Sequence, residues 1–280
     1  MERGTGHARR RVRRRLSAVA ADPSALEPLT VALLCAAALV AGWVDAVSGG
    51  GGLVQLPALL LAMPGQPPAV ALGTNKLSAV LGTSAAAVTY LRRATPDLRT
   101  AVPMAVAAFV GSALGATVAT RVPPGAFRPV VLVLLVVAWL WTLLRPALGE
   151  EEARRFTGRR HYALAVAGGA VIGTYDGMLG PGTGSFLVFL LVAGLGYSFL
   201  RASATAKVVN VGTNLAALIV FGVSGSVLWG LGLLMGAANV LGAVIGARTA
   251  VARGSGFVRV VFLAVVGVLI ARLGWDVLAG

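Results

Sequence analysis

Gly42-Trp-Val-Asp45-Ala-Val-Ser48-Gly49-Gly50-Gly51-Gly52-Leu-Val-Gln-Leu-Pro57 is the stretch that decides how this chain folds. An apolar run starting near residue 29 meets an aspartate and then four successive glycines, each about 1 kcal/mol worse than alanine in a helix, so the helix is expected to unwind at Gly49 to Gly52. Unwound backbone at membrane depth is tolerated only where it lines a cavity or packs inside protein. The apolar run that follows, at 53–63, covers only about 18 Å, which suits a half-helix or a re-entrant segment. The start of such a half-helix offers oriented N–H groups and partial positive charge, which favour an anion.

The rest of the chain agrees with a membrane setting. Hydrophobic residues make up 57 % of its 280 residues, charged residues 12 %, and mean hydropathy is +0.85. Ordinary soluble domains are about 45–50 % apolar and about 25 % charged. The net charge of +14 comes from arginines at the ends of apolar runs and in a tail containing Arg9, Arg10, Arg11, Arg13, Arg14 and Arg15. No aromatic residue interleaves with that tail, so a cytoplasmic segment beside lipid is expected and nucleic-acid binding is not. The small residues Ala18 to Ala21 precede the apolar stretch, whereas a signal-peptide cleavage site follows it, so the first segment is expected to be retained. With Cys35 alone and two histidines outside the deep apolar runs, no metal site, cofactor or nucleophile–base set is expected, and the chain is not read as an enzyme.

Ten apolar runs fall at about 29–48, 53–63, 69–91, 101–120, 127–144, 162–178, 184–195, 201–222, 227–250 and 257–278. The second and seventh are the short ones. Sliding the chain on itself by 131 positions superposes Gly42 on Gly173, Asp45 on Asp176, Gly49 on Gly180, Thr74 on Thr205, Lys76 on Lys207 and Gly111 on Gly242. The expected fold is an all-α polytopic membrane protein of two homologous bundles with Gly-broken helices, about eight full spans plus two half-helices. Its parts are a basic tail at 1–28, expected to be disordered, repeats at 29–145 and 161–280, and a charged linker at 146–160. Five spans per repeat force the halves into opposite orientation, yet set the N-terminal arginines and the loop arginines on opposite sides of the membrane. Four spans satisfy the positive-inside tendency with parallel repeats. Both counts stand at this point.

The two lysines of the chain, Lys76 and Lys207, lie inside apolar runs, each 31 residues after an aspartate, Asp45 or Asp176. A charge at the bilayer centre costs about 2.5–3.5 kcal/mol on insertion scales, so these four residues are expected to pair or to serve function. On a helix, Lys207, Asn210 and Asn214 share one face, with Thr213 at its edge, and Lys76 shares its face with Thr83. An ammonium, amides and hydroxyls suit the oxygen acceptors of a compact anionic solute. A structural reading stands beside this one: Asp45 with Lys76, and Asp176 with Lys207, as buried pairs whose charges cancel. Gly111, Gly115, Gly242 and Gly246 are read as close-packing surfaces, Asn239 and Arg248 as interhelical and interfacial anchors, and His161 as a solvated flank. Trp139, Trp141, Trp229 and Trp275 suit headgroup level.

Gly42 to Pro57 followed by Ala71-Leu-Gly-Thr-Asn-Lys76 resembles the sulfite exporter TauE/SafE family, also called the 4-toluene sulfonate uptake permease family. The resemblance spans essentially the whole membrane portion. It implies a multi-pass inner-membrane permease, with some members linked to sulfite, sulfonate or sulfoacetate movement. Carried over by residue, it points to Asp45, Gly49, Gly50, Gly51, Gly52, Thr74, Asn75 and Lys76, and through the repeat to Asp176, Gly180, Gly182, Thr205 and Lys207. The second copy departs at Pro181, Thr183 and Ala206. The function expected is a cell-membrane transporter moving a small anion, such as sulfite or an organosulfonate, by alternating access, with membrane lipid and the solute as its partners. The rivals are a channel or a cation- or proton-coupled permease with structural lysines, and a non-transporting scaffold.

Overall fold

The computed structural model describes residues 26–64, 66–119, 128–144 and 149–278. The basic tail and the first residues of the linker lie outside them. Helices are α1 (Pro28–Ser48), α2 (Gly52–Ala62), α3 (Pro68–Arg93), α4 (Leu98–Ala119), α5 (Arg128–Leu143), α6 (Gly158–Met178), α7 (Thr183–Phe189), α8 (Phe199–Val223) and α9 (Trp229–Leu278). A π-helical turn, Leu190–Gly194, continues α7, and Gly254, with φ 74°, interrupts α9.

The four-glycine stretch breaks the chain where expected. Gly49 adopts φ 86° as the cap of α1, and α2 starts three residues later. The second break runs through Gly180 and Gly182, with φ 84° and 81°. Both short helices form, α2 at 11 residues and α7 at 7.

Among the described residues, four helices are long and apolar enough to cross a membrane: Pro28–Ser48, Leu98–Ala119, Phe199–Val223 and Trp229–Arg272. That is fewer than the eight full spans expected, and composition explains the shortfall. The polar residues that approach the protein centre, Thr74, Asn75, Lys76 and Ser78, lower the hydropathy of α3, while Arg159, Arg160 and His161 open α6. The last of the four is too long for one crossing and folds back at Gly254. Trp43 lies against Gly246 before that break and stacks edge-on with Phe257 after it.

Contacts fix the helix directions. Met104, Ala108 and Ser112 meet Gly169, Gly173 and Gly177 in turn, so α4 and α6 run the same way. Thr74, Leu77 and Leu81 meet Leu228, Gly232 and Gly236, which aligns α3 with the first limb of α9. Leu39 and Trp43 against Gly242 and Gly246 align α1 with that limb too. Gly73 touches Phe221 while Asp97 bonds Thr205, so α8 runs against α3 and, with Ala105 on Gly212, along α4. The first set, α1, α3 and early α9, therefore opposes the second, α4, α6 and α8. Since α1 and α3 are parallel, α2 returns between them. Thus α1 and α3 of the first half of the chain run opposite to α6 and α8 of the second.

The strongest helix pairings cross between halves: α1 with α9, α4 with α6, α3 with α9 and α4 with α8. The two halves of the chain therefore share extensive helix contacts. Gly111 and Gly115 abut the backbone of α6, and Gly242 and Gly246 that of α1, so the close-packing role read for these four holds. Outward faces carry Leu33, Val106, Leu114, Val171, Leu241 and Val260, all exposed, while polar side chains turn inward, an arrangement suited to lipid.

Candidate functional site

Both lysines end up fully buried at the centre, and neither bonds the aspartate of its own half. Lys76 Nζ donates to Asp176 Oδ2 at 2.6 Å and to Asn214 Oδ1 at 3.2 Å. Lys207 Nζ donates to Asp45 Oδ2 at 2.8 Å. The pairing expected within each half is thus corrected to a pairing across halves. The opposed orientation explains it, because each aspartate at the end of a broken helix faces the long helix of the other half.

The two glycine breaks touch. Ser185 donates its N–H to Gly49 O at 3.2 Å and its hydroxyl to Ser48 O at 3.2 Å. Gly49 and Gly184 approach so closely that a Cβ on either meets the other's backbone. Here glycine is required twice at Gly49, by the positive φ and by the contact.

Beside this junction lies a cavity of about 30 Å³, lined by Asp45, Gly49, Gly51, Gly52, Gln55, Asn75, Lys76, Ala79, Thr83, Asp176, Gly180, Thr183, Gly184, Asn210, Asn214 and Asn239. Such a volume holds about two waters. Its walls must part before a larger solute fits. Gln55 Nε2, Asn75 Oδ1 and Asn210 Oδ1 are buried without a partner, so three amides present unused hydrogen-bonding capacity to this space. Two lysines and two aspartates leave the site neutral overall.

Of the fifteen residues the sequence pointed to, the structure brings Asp45, Gly49, Gly51, Gly52, Asn75, Lys76, Asp176, Gly180, Asn210 and Asn214 to the cavity wall. Five stand off it. Lys207 reaches the site only through Asp45. Gly50 packs on Val265, and Gly182 faces Leu269 and Phe186. Thr74 and Thr205 bond backbone instead: the Leu228 N–H donates to Thr74 Oγ1 at 3.0 Å, and the Asp97 N–H to Thr205 Oγ1 at 3.1 Å. Each threonine holds the start of a helix in the other half, α9 or α4.

Six lining residues lie outside those fifteen, Gln55, Ala79, Thr83, Thr183, Gly184 and Asn239, and two of them carry amides. Asn239, taken as an interhelical anchor, does anchor, with Nδ2 donating to Gln55 Oε1 at 2.8 Å, but it also faces the cavity. Gln55 sits one turn past the glycines on α2, and its polar side chain in an apolar run was the available signal. Gly42 and Gly82 press against Asn239 and hold its amide in place. Among the described residues, no group of three or more His, Cys, Asp or Glu is placed to hold a metal ion.

A second polar cluster sits at one end of the molecule. His161, expected as a solvated flank, is buried, with Nε2 at 2.9 Å from Thr100 Oγ1 and 3.2 Å from Tyr197 OH. The linker folds back over it and brings Arg154 to Asp97 at 2.8 Å and over the Tyr197 ring at 4.0 Å. Burial by itself pushes the Asp97 carboxyl up, but hydrogen bonds from Arg154, Tyr197 and Thr100 outweigh it and hold it at about 2. Burial also pushes the Tyr197 hydroxyl up to about 12, so it stays a donor.

Comparison with known proteins gives the family. The sulfite exporter TauE/SafE family model matches residues 34–273. A "Probable membrane transporter protein ORF9" of Sinorhizobium sp. is 38 % identical over 243 residues, covering 87 % of this chain and 92 % of that protein. A "Probable membrane transporter protein" of Haemophilus influenzae is 36 % identical over 246 residues, covering 88 % and 95 %. "Probable membrane transporter protein YfcA" of Escherichia coli K12 is 36 % identical over 253 residues, covering 90 % and 92 %. No solved structure matches. The glycine break, the Gly-Thr-Asn-Lys segment and the length of these matches lead to one conclusion: the chain is a membrane transporter of the TauE/SafE family.

Proposed function

We propose that this protein carries a small anion, sulfite or an organosulfonate, across the cell membrane by alternating access, with the solute bound in the central cavity. The two halves act as inverted copies of one five-segment unit that rock about the Gly49–Gly184 junction. The observation that carries this reading is the convergence of Lys76, Asn75, Asn210, Asn214 and Gln55 on one buried space. An ammonium and amides bind several oxygens of one compact solute, and α2 directs its N-terminal end at the same space. The cavity's present size supports a closed state between two open ones.

A cation-handling permease is the second reading, favoured by Asp45, whose side chain is 17 % exposed and lines the cavity. Vesicle flux with sulfite, sulfate, sulfoacetate and taurine separates the two. The parent is expected to show saturable anion flux with countertransport. Lys76→Met is expected to lose it at least tenfold per folded molecule. Unchanged anion flux in folded Lys76→Met would move the solute away from this cavity.

A further inference from the structure

The two ion pairs are not equivalent. Lys76 and Asp176 are both sealed, with side-chain exposures of 1 % and 3 %, and the lysine has a second acceptor in Asn214. Lys207 is 0 % exposed and off the cavity wall, whereas its partner Asp45 is 17 % exposed and on it. The cavity therefore meets the carboxylate of this pair and not its ammonium. Asp45 Oδ2 accepts from Lys207 Nζ at 2.8 Å.

An anion drawn to Lys76 faces that carboxylate across the same small space. Bare like charges about 6 Å apart at an effective dielectric of about 20 weaken binding about 100-fold, an upper bound that the Lys207 ammonium behind Asp45 reduces. A proton on Asp45 removes the repulsion. The other charged and titratable groups near Asp45 do not substitute for it. Lys207 is committed behind it, Tyr90 donates its hydroxyl to Ala46 O at 2.9 Å, and Lys76 and Asp176 hold each other.

We propose that Asp45 is the coupling residue: each solute anion binds together with one proton taken up by the Asp45 carboxylate, while Lys76–Asp176 stays paired. Lys207 remains an ammonium throughout. The proton leaves from Asp45 to the far side when the solute departs, and Lys207 regains its full ion pair. The inference rests on the solute being an anion.

The test uses the full-length protein in lightly buffered proteoliposomes with an internal pH dye, and sulfoacetate and methanesulfonate as probes, since their sulfonates carry no proton at neutral pH. In the parent, an imposed probe gradient is expected to drive protons in the same direction as the probe. Uptake at low probe concentration is expected to rise by up to about tenfold for each unit of acidification. Asp45→Asn with Lys207→Met, which removes both charges of the pair together, is expected to carry probe with no proton movement and no pH dependence. Asp45→Glu, which keeps the charge, is expected to keep proton movement.

Parent flux without protons, or proton movement surviving in folded Asp45→Asn/Lys207→Met, overturns the inference and leaves the anion reading standing. If the parent carries neither sulfite, sulfate nor sulfoacetate of the flux panel, nor methanesulfonate, the anion reading falls and takes this inference with it.

Discussion

At the residue scale, the sequence grouped Thr74 and Thr205 with the lysines because they stand two positions before them. Their hydroxyls instead accept the Leu228 and Asp97 N–H groups at the starts of α9 and α4. Replacing either threonine by valine keeps its shape and leaves a backbone donor unmet, at a cost of about 1–3 kcal/mol. Thr74→Val is expected to lower the thermal midpoint in detergent while leaving the solute KM where it was. A shift in KM without a stability loss would return Thr74 to the site. The four charged residues were legible because buried charge is expensive wherever it lies. Their pairing was not, because equal spacing in both halves fits a pair within a half as well as one across halves. Gln55 and Asn239 were passed over because a lone amide in an apolar run is as readily a structural bond, and here each is both.

At the scale of elements, the breaks and the two short helices were readable, since glycine runs and segment length act locally. Helix direction was not, for it depends on which faces meet. One consequence of the observed directions is the cluster around Asp97, which ties the linker, α4, α6 and the approach to α8 at a single end. Its carboxyl ordinarily titrates near 3.8 and is held at about 2 here. A lowered folded value stabilises above the unfolded value and is lost as pH falls, so this contribution is complete above about pH 4 and fades toward pH 2. The thermal midpoint of Asp97→Asn is expected to lie below that of the parent at pH 6, with the gap narrowing between pH 4 and pH 2. A gap that stays constant across that range would show that the carboxylate charge is not what holds the cluster.

At the scale of the whole molecule, we propose an orientation in the bilayer from charge. The end of α3, the starts of α4, α6 and α8, and the bend of α9 share one face, and with them Arg92, Arg93, Arg99, Arg154, Arg155, Arg159, Arg160, Arg201 and Arg253. Short loops rich in arginine stay in the cytoplasm. Leu26, at the head of α1, lies at the opposite face. A cysteine placed at Thr95 of a Cys35→Ser protein is expected to react with a membrane-impermeant maleimide only in inside-out vesicles. Labelling in intact cells would reverse the assignment. Composition announced the membrane, but the contest between the tail arginines and the loop arginines needed the helix directions before it became a question with two definite answers.

The crossed pairing of Lys76 with Asp176 also bears on how the protein is made. Lys76 emerges from the ribosome 100 residues ahead of its partner, and Asp45 162 residues ahead of Lys207. At about 5–20 residues per second, the early charges wait on the order of 5 to 30 s without their mates. During that interval the newborn first half cannot settle in lipid on its own terms. It must linger beside the insertion machinery, or keep water about those side chains, until the second half arrives to close around it.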